Sequence, residues 1–467
     1  MEEVIKIKKN RKSGGRFFRS NFDYFLIFVL YFIPHLFMGF NLWDDILYKT
    51  YFEAYHYNVL HFISRQYQYW TSRVVIEAAV IVFGWLPPII WMLIDTLMIV
   101  LLYHSMFCIL KLFLVKYELD SKYRICQMFL FLSFPYALMA TAGWLTTTIN
   151  WAWMLSLFVY GLKGLLYSAS GQKQTKSIVK NIIFCLAYVY ATNFDVAAII
   201  MFCLLMVVGF ACHKSSPYEF CLEYWEGLLI TIGNLVLFFV CPGNRVRMEQ
   251  DAIIHGTADV LELSVLGKIR MGINSAFYHY MSIPNAVLFT ICMIMLYVVW
   301  VRSKSALIKS IAFLPVGITV IWTVYIFFAY TVKNHTLTYV YPDAAFHTCP
   351  RTEQYLAMVS ALMLVLSMVY LLYYVIREKD LFVSMVVVLL IWGLLPDIVL
   401  GFTSTISASI LRVVSFLYLA FIFISCVVIG YSEMLKNRMV WKGIIFLGSA
   451  GTVLNFVQMI RHIIVYG

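Results

Sequence analysis

The chain has 467 residues, 62% of them apolar and only 13% charged, against about 45–50% and about 25% in a soluble domain. That composition excludes a soluble enzyme and a disordered chain, and it supplies apolar residues for about 13 membrane spans of ~20 residues each. The net charge of +11 does not indicate a nucleic-acid partner, because the basic residues sit in short loops between apolar runs, the pattern of cytoplasmic loops.

Taken in chain order, the basic tail at 1–21 carries Lys6, Lys8, Lys9, Arg11, Lys12, Arg16 and Arg19 and is expected in the cytoplasm. A first span over 22–40 exits outward. A polar segment from Asn41 to Arg73 follows as the first extracytoplasmic loop, and a stretch over 74–85 ending at Trp85-Leu86-Pro87-Pro88 is expected at the interface. Spans are then expected over 88–114, 125–141 and 148–167. The run 181–212 is too long for one span and holds Asn193 and Asp195 near its middle. It reads as two short helices meeting at the outer face, because a single span would bury Asp195 at depth. Further spans are expected over 227–241, 283–301 and 310–330, two more flank Arg377-Glu378-Lys379-Asp380, another follows 401–411, and the last covers 443–463.

The expected fold is therefore all-α: a polytopic transmembrane helical bundle of about 13 spans with interfacial helices in the first outer loop. No linker or internal repeat divides 22–467, which reads as one membrane domain with a catalytic module over 22–241, an outer segment over 242–282 and C-terminal helices over 283–467. The ten cysteines include no CxxC pair, so a zinc or thioredoxin-like site has no support.

The cytoplasmic loops hold no Walker loop and no GxGxxG, so chemistry is expected on the outer face. Asp44 and Asp45 follow the first span directly. Adjacent acids there suit a general base towards a hydroxyl acceptor, or a divalent cation such as Mg or Mn. They also suit a plain solvated loop. Arg73, beside Trp70, and Arg245 and Arg247, after Pro242-Gly243-Asn244, stand on a face that should be poor in arginine. Guanidinium pairing with phosphate explains them; snorkelling or a structural ion pair is the plainer alternative. Asn193, Asp195, Arg351 and Arg412 each sit at the outer end of an apolar run and join the candidate set.

Trp43-Asp44-Asp45, Tyr69-Trp70-Thr71-Ser72-Arg73, the Asn193-x-Asp195 turn and Pro242-Gly243-Asn244-x-x-Arg247 together resemble the GT-C superfamily of polytopic glycosyltransferases. The closer resemblance is to bacterial O-antigen glucosyltransferase-like membrane proteins, with Asp195 standing where those more often carry Glu. The resemblance implies a sugar donor on a polyprenyl phosphate, a glycan or lipid acceptor at the cell envelope, and inverting transfer on the outer face of the plasma membrane. It also implies an acid of the first loop as base or metal site, arginines on the donor phosphate, and no nucleotide cofactor. On this reading Asp44 and Asp45 are catalytic, Arg73, Arg245, Arg247 and Arg351 bind phosphate, and Trp70, Asn193, Asp195, Asn244 and Arg412 bind substrate. Asp44 is preferred as the base because it lies nearer the rigid end of the first span; its neighbour would then bind metal, pair with an arginine or cap a helix. An O-antigen or capsule-type polymerase and a transporter or flippase for a lipid-linked glycan are the rival functions.

Overall fold

The structure, a computed structural model, describes residues 15–40, 42–117, 119–140, 142–170, 178–212, 224–254, 262–282, 286–332 and 351–466. The described residues are almost entirely helical, with no strand among them. Most of the basic tail and the stretch 333–350 lie outside them, as does the side chain of Arg351.

Seven described helices are long and apolar enough to cross a membrane. They are Pro88–Phe113, Trp144–Ala169, Ala306–Tyr325, Tyr355–Val375, Lys379–Leu400, Ser415–Ser432 and Arg438–Val465. Trp225–Val240 and Pro242–Ile254, bent by 56°, make an eighth if taken as one broken span. Among the described residues the expected 13 spans are thus not confirmed. Several of the expected spans are runs that are apolar but short, and the first falls on α1 (Gly15–His35), whose backbone leaves helical geometry at Asn21. The expected span over 125–141 is the 12-residue helix Ser121–Leu132, which at about 18 Å falls well under the ~30 Å of a hydrocarbon layer. The run 181–212 divides as expected, into Ile178–Thr192 and Asp195–Cys212, with the break at Asn193.

The core is one continuous apolar cluster running through most of the bundle. Ser415–Ser432 lies at its centre, buried along almost its whole length, and packs against Ala286–Arg302. Trp144–Ala169 packs against Pro88–Phe113.

The segment after the first helix, α1 (Gly15–His35), is more structured than its polarity suggests. It folds into α2 (Trp43–Ala54), α3 (Val59–Tyr69) and α4 (Val74–Trp85), followed by α5 (Pro88–Phe113). Phe52, Phe62 and Ile81 make a small apolar core of their own, separate from the main one, and lock α2, α3 and α4 together. His56 and Tyr57 take left-handed conformations with φ near 50° and 59° and turn the chain sharply between α2 and α3. Asn58 caps α3 by accepting from the His61 amide at 3.0 Å. At 12 residues, α4 is too short to cross a bilayer.

Candidate functional site

A cavity of about 540 Å³ opens between α2, α3, α4, the start of Trp144–Ala169, Pro242–Ile254 and the segment around Ile406–Val413. Pockets for small ligands are typically about 300–1,000 Å³. Its wall contains Asp44, Trp70, Arg73, Arg247 and Arg412, which the sequence places more than 360 positions apart at the extremes. Aromatic side chains make up much of the rest: Tyr48, Tyr51, Tyr55, Tyr69 and Trp151.

Three turns build this wall. Asn193, at the break between two helices, accepts from the Val75 and Ile76 amides at 3.0 and 3.3 Å. It thereby satisfies donors that the first turn of α4 leaves open. Asn244 accepts from the Ser72 amide at 3.1 Å and donates to the Ser72 hydroxyl and the Phe238 carbonyl. Gly243 presses on the same turn: a Cβ there would lie 2.5 Å from the Trp70 amide nitrogen and 2.7 Å from the Tyr67 carbonyl. The two asparagines expected to bind substrate are therefore occupied in joining helices, and neither lines the cavity. Their contribution is placement: one holds α4 and Arg73, the other sets Arg247 beside Trp70.

The two acids of the first loop separate in role. Both lie in the first turn of α2, where the helix dipole favours a carboxylate. Successive helical residues point about 100° apart, so the two carboxylates face different surroundings. Asp45 is buried and turned away from the cavity. Its Oδ1 accepts from the Thr146 amide and hydroxyl at 2.8 and 2.7 Å, and Oδ2 accepts from the Leu145 amide at 3.3 Å. It closes the N-terminus of Trp144–Ala169 from outside that helix. Burial pushes its carboxyl up to about 6, against the pull of the Thr146 and Leu145 donors. Asp44 stays half-buried in the cavity wall; burial raises its pKa, while the positive charges of Arg412 and Arg247 pull it down. Asp45 thus turns its oxygens to Thr146 and Leu145, while Asp44 faces the cavity.

Gly143 makes the Asp45 arrangement possible. Its φ of +151° is strained for any other residue, and a Cβ there would sit 2.5 Å from Asp45 Oδ1. Gly143→Ala should lower stability by about 1–3 kcal/mol, read as an earlier thermal unfolding of the detergent-solubilised protein. An unchanged midpoint would mean that Asp45 is not anchored as described.

The arginines differ just as clearly. Arg73 donates to Asp195 Oδ1 at 2.9 Å and lies 3.8 Å over the Phe194 ring. Asp195 thus fixes an arginine, from the N-terminus of its own helix. Arg247 pairs with Asp251 at 3.1 Å and stands 5.1 Å from the Trp70 ring. Arg412 lies 5.8 Å from the Trp151 ring, and burial lowers its pKa to about 10 despite the nearby charge of Asp44. Arg245 departs from expectation. Its side chain is 84% exposed, pairs with Glu249 at 3.2 Å and does not line the cavity. The reason is helical phase, since positions 245 and 247 lie about 200° apart on one helix.

Sequence reasoning passed over Tyr48, Asn150 and Asp251 and took Glu77 only as a charge inside an apolar run, though all four lie in the cavity wall. Two of them carried a signal. Asp251 follows Arg247 at the i,i+4 spacing of a helical ion pair, and Glu77 is the one acid in the apolar run 74–85. No family model, curated protein or solved structure matches the chain. Among the described residues no group of three His, Cys, Asp or Glu is placed to hold a metal ion.

Proposed function

We propose that the chain is a GT-C-like membrane glycosyltransferase that moves a sugar from a polyprenyl-phosphate donor to a glycan or lipid acceptor of the cell envelope. The observation that carries this reading is the single cavity uniting Asp44 with Arg73, Arg247 and Arg412 between aromatic walls. Three guanidinium groups suit one phosphate diester. Tyrosine and tryptophan faces suit the apolar side of a sugar ring and the first isoprene units. The apolar helices are those of a membrane protein; under this reading its membrane is the plasma membrane, with the N-terminus cytoplasmic and the cavity open outside.

The step assigned to Asp44 is proton acceptance. An acceptor hydroxyl oxygen attacks the anomeric carbon, the bond from that carbon to the phosphate oxygen breaks, and the electron pair leaves with the phosphate. The hydroxyl proton passes to the Asp44 carboxylate. A base whose pKa is raised by burial takes that proton more readily than an exposed aspartate. The arginines hold the departing phosphate charge, the role that preorganised cationic donors play where charge develops.

The arginine assignment is tested by substitution with Lys, which cannot reproduce a two-point contact with phosphate. Arg73→Lys, Arg247→Lys and Arg412→Lys should each weaken binding of a short-chain prenyl phosphoglucose by about tenfold or more. Arg245→Lys should bind it normally. Unchanged affinity in all three cavity variants, with the proteins still folded by size exclusion, would overturn the assignment.

A further inference from the structure

Glu77 is the acid of the cavity that this mechanism leaves without a task. It lies on α4, 2% exposed, and lines the cavity. Its Oε1 accepts the Tyr48 hydroxyl at 3.0 Å, and its Oε2 has no hydrogen-bond partner among the described residues. The hydrogen bonds of the neighbouring Arg73 and Arg247 go to Asp195 and Asp251, so both act on Glu77 through their charge alone. Three acids around this site, Asp45, Asp195 and Asp251, thus have donors or cations of their own, whereas Glu77 has one neutral phenol. An ionised carboxylate buried with so little support is disfavoured. A neutral carboxyl that accepts at Oε1 carries its proton on Oε2 and is there a donor without an acceptor.

Resting on the sugar-phosphate reading above, we propose that Glu77 is a second functional carboxyl of the cavity, a neutral acid whose Oε2–H donates to an oxygen of the bound sugar phosphate while Tyr48 fixes its other oxygen. A non-bridging phosphate oxygen and a sugar oxygen offer the same acceptor chemistry. Glu77 binds and orients; Asp44 takes the proton.

The charges that face Glu77 set its behaviour with pH. Burial pushes its carboxyl up to about 7; the Tyr48 hydrogen bond, Arg73 and Arg247 pull it down, and Asp44 pushes it up. Tyr190, on Ile178–Thr192, feels the charge of Glu77 from a further side. Below about pH 7 the carboxyl is neutral and donates. Above it, the carboxylate has lost the donor and repels the phosphate. A phosphodiester keeps its single charge throughout this range.

The test is equilibrium binding of a short-chain prenyl phosphoglucose to the full-length protein in detergent, between pH 6 and 8.5. The unaltered protein should lose affinity by about tenfold as pH rises across this window, as expected when a binding donor becomes a like charge. Glu77→Gln keeps an N–H donor and cannot ionise, so it should bind at pH 8.5 nearly as well as the unaltered protein does at pH 6, with a flat profile. Tyr48→Phe removes the bond that favours the ionised form and should move the midpoint of the loss to higher pH. A prenyl methyl phosphodiester without sugar distinguishes the two acceptors: a profile that persists assigns the phosphate oxygen, and one that vanishes assigns the sugar. A flat profile in the unaltered protein, or one that Glu77→Gln leaves in place, would overturn the proposal while leaving the transferase reading intact. No binding by the unaltered protein at any pH would overturn both.

Discussion

Asp44→Asn should leave a folded protein that binds donor yet transfers sugar about 10²–10⁴-fold more slowly, the usual loss on removing a general base. Asn matches Asp in shape, and the Asp44 amide, which the substitution retains, donates to the Ala142 carbonyl at 2.9 Å; what is lost is the carboxylate charge that faces Arg412 and Arg247. The effect should therefore fall on the rate and spare donor affinity. Asp45→Asn makes the contrast. Its carboxylate meets three donors at a helix N-terminus and does not reach the cavity. Losing a capping interaction of this kind costs about 1 kcal/mol, so that variant should melt earlier and keep much of its rate. A reconstituted assay with purified donor and acceptor measures both. Near-normal transfer by Asp44→Asn would remove the base from the mechanism and favour the polymerase or transporter alternative.

The largest effect on stability should come from a different buried acid. Asp95 lies on α5, fully buried. It lies 2.7 Å from His35 Nε2 and accepts from Trp153 Nε1 at 2.6 Å and from the Tyr136 hydroxyl. His35 reaches in turn, through Nδ1, the Tyr31 carbonyl at 2.6 Å. One carboxyl therefore ties α1, α5, the turn Tyr136–Ala140 and the helix Trp144–Ala169 at one point. Asp95→Ala would leave the Trp153 and Tyr136 donors, and the His35 ring nitrogen, without their buried partner. Breaking a buried pair from one side typically costs about 3–5 kcal/mol, so this variant should unfold well below the parent temperature or fail to accumulate. Glu378→Gln is the control. Its partner Lys116 is at 2.7 Å but solvent-exposed, and water screens such pairs, so stability should barely change. If the two variants unfolded alike, the buried cluster would not be the structural pin that its geometry describes.

Much of this site was legible in the sequence, for reasons that are local. A span must be a long apolar run because lipid offers no hydrogen bonds, so polar residues at the ends of such runs stand out. That rule picked out Asp44, Trp70, Arg73, Arg247 and Arg412, and all five line one cavity. The break at Asn193 was legible for the same reason, as a polar pair in the middle of an apolar stretch too long for one span. Composition pointed to apolar helices long enough to cross a membrane, and seven of the described helices are of that kind.

What each polar residue does once it reaches the cavity region was decided by contacts far away in the chain. Asp45 is committed because residues 145 and 146 bring amides to it, 100 positions on. Asn193 and Asn244 became joints because α4 and the turn before it present open amides. Arg245 points away and Arg247 inward because a helix, rather than a loop, follows Pro242. Glu77 gained its place only when α2 brought Tyr48 against α4. The physical division is one of range: hydrophobic continuity acts along the chain and can be read from it, whereas hydrogen-bond partners and helical phase exist only once distant segments have packed.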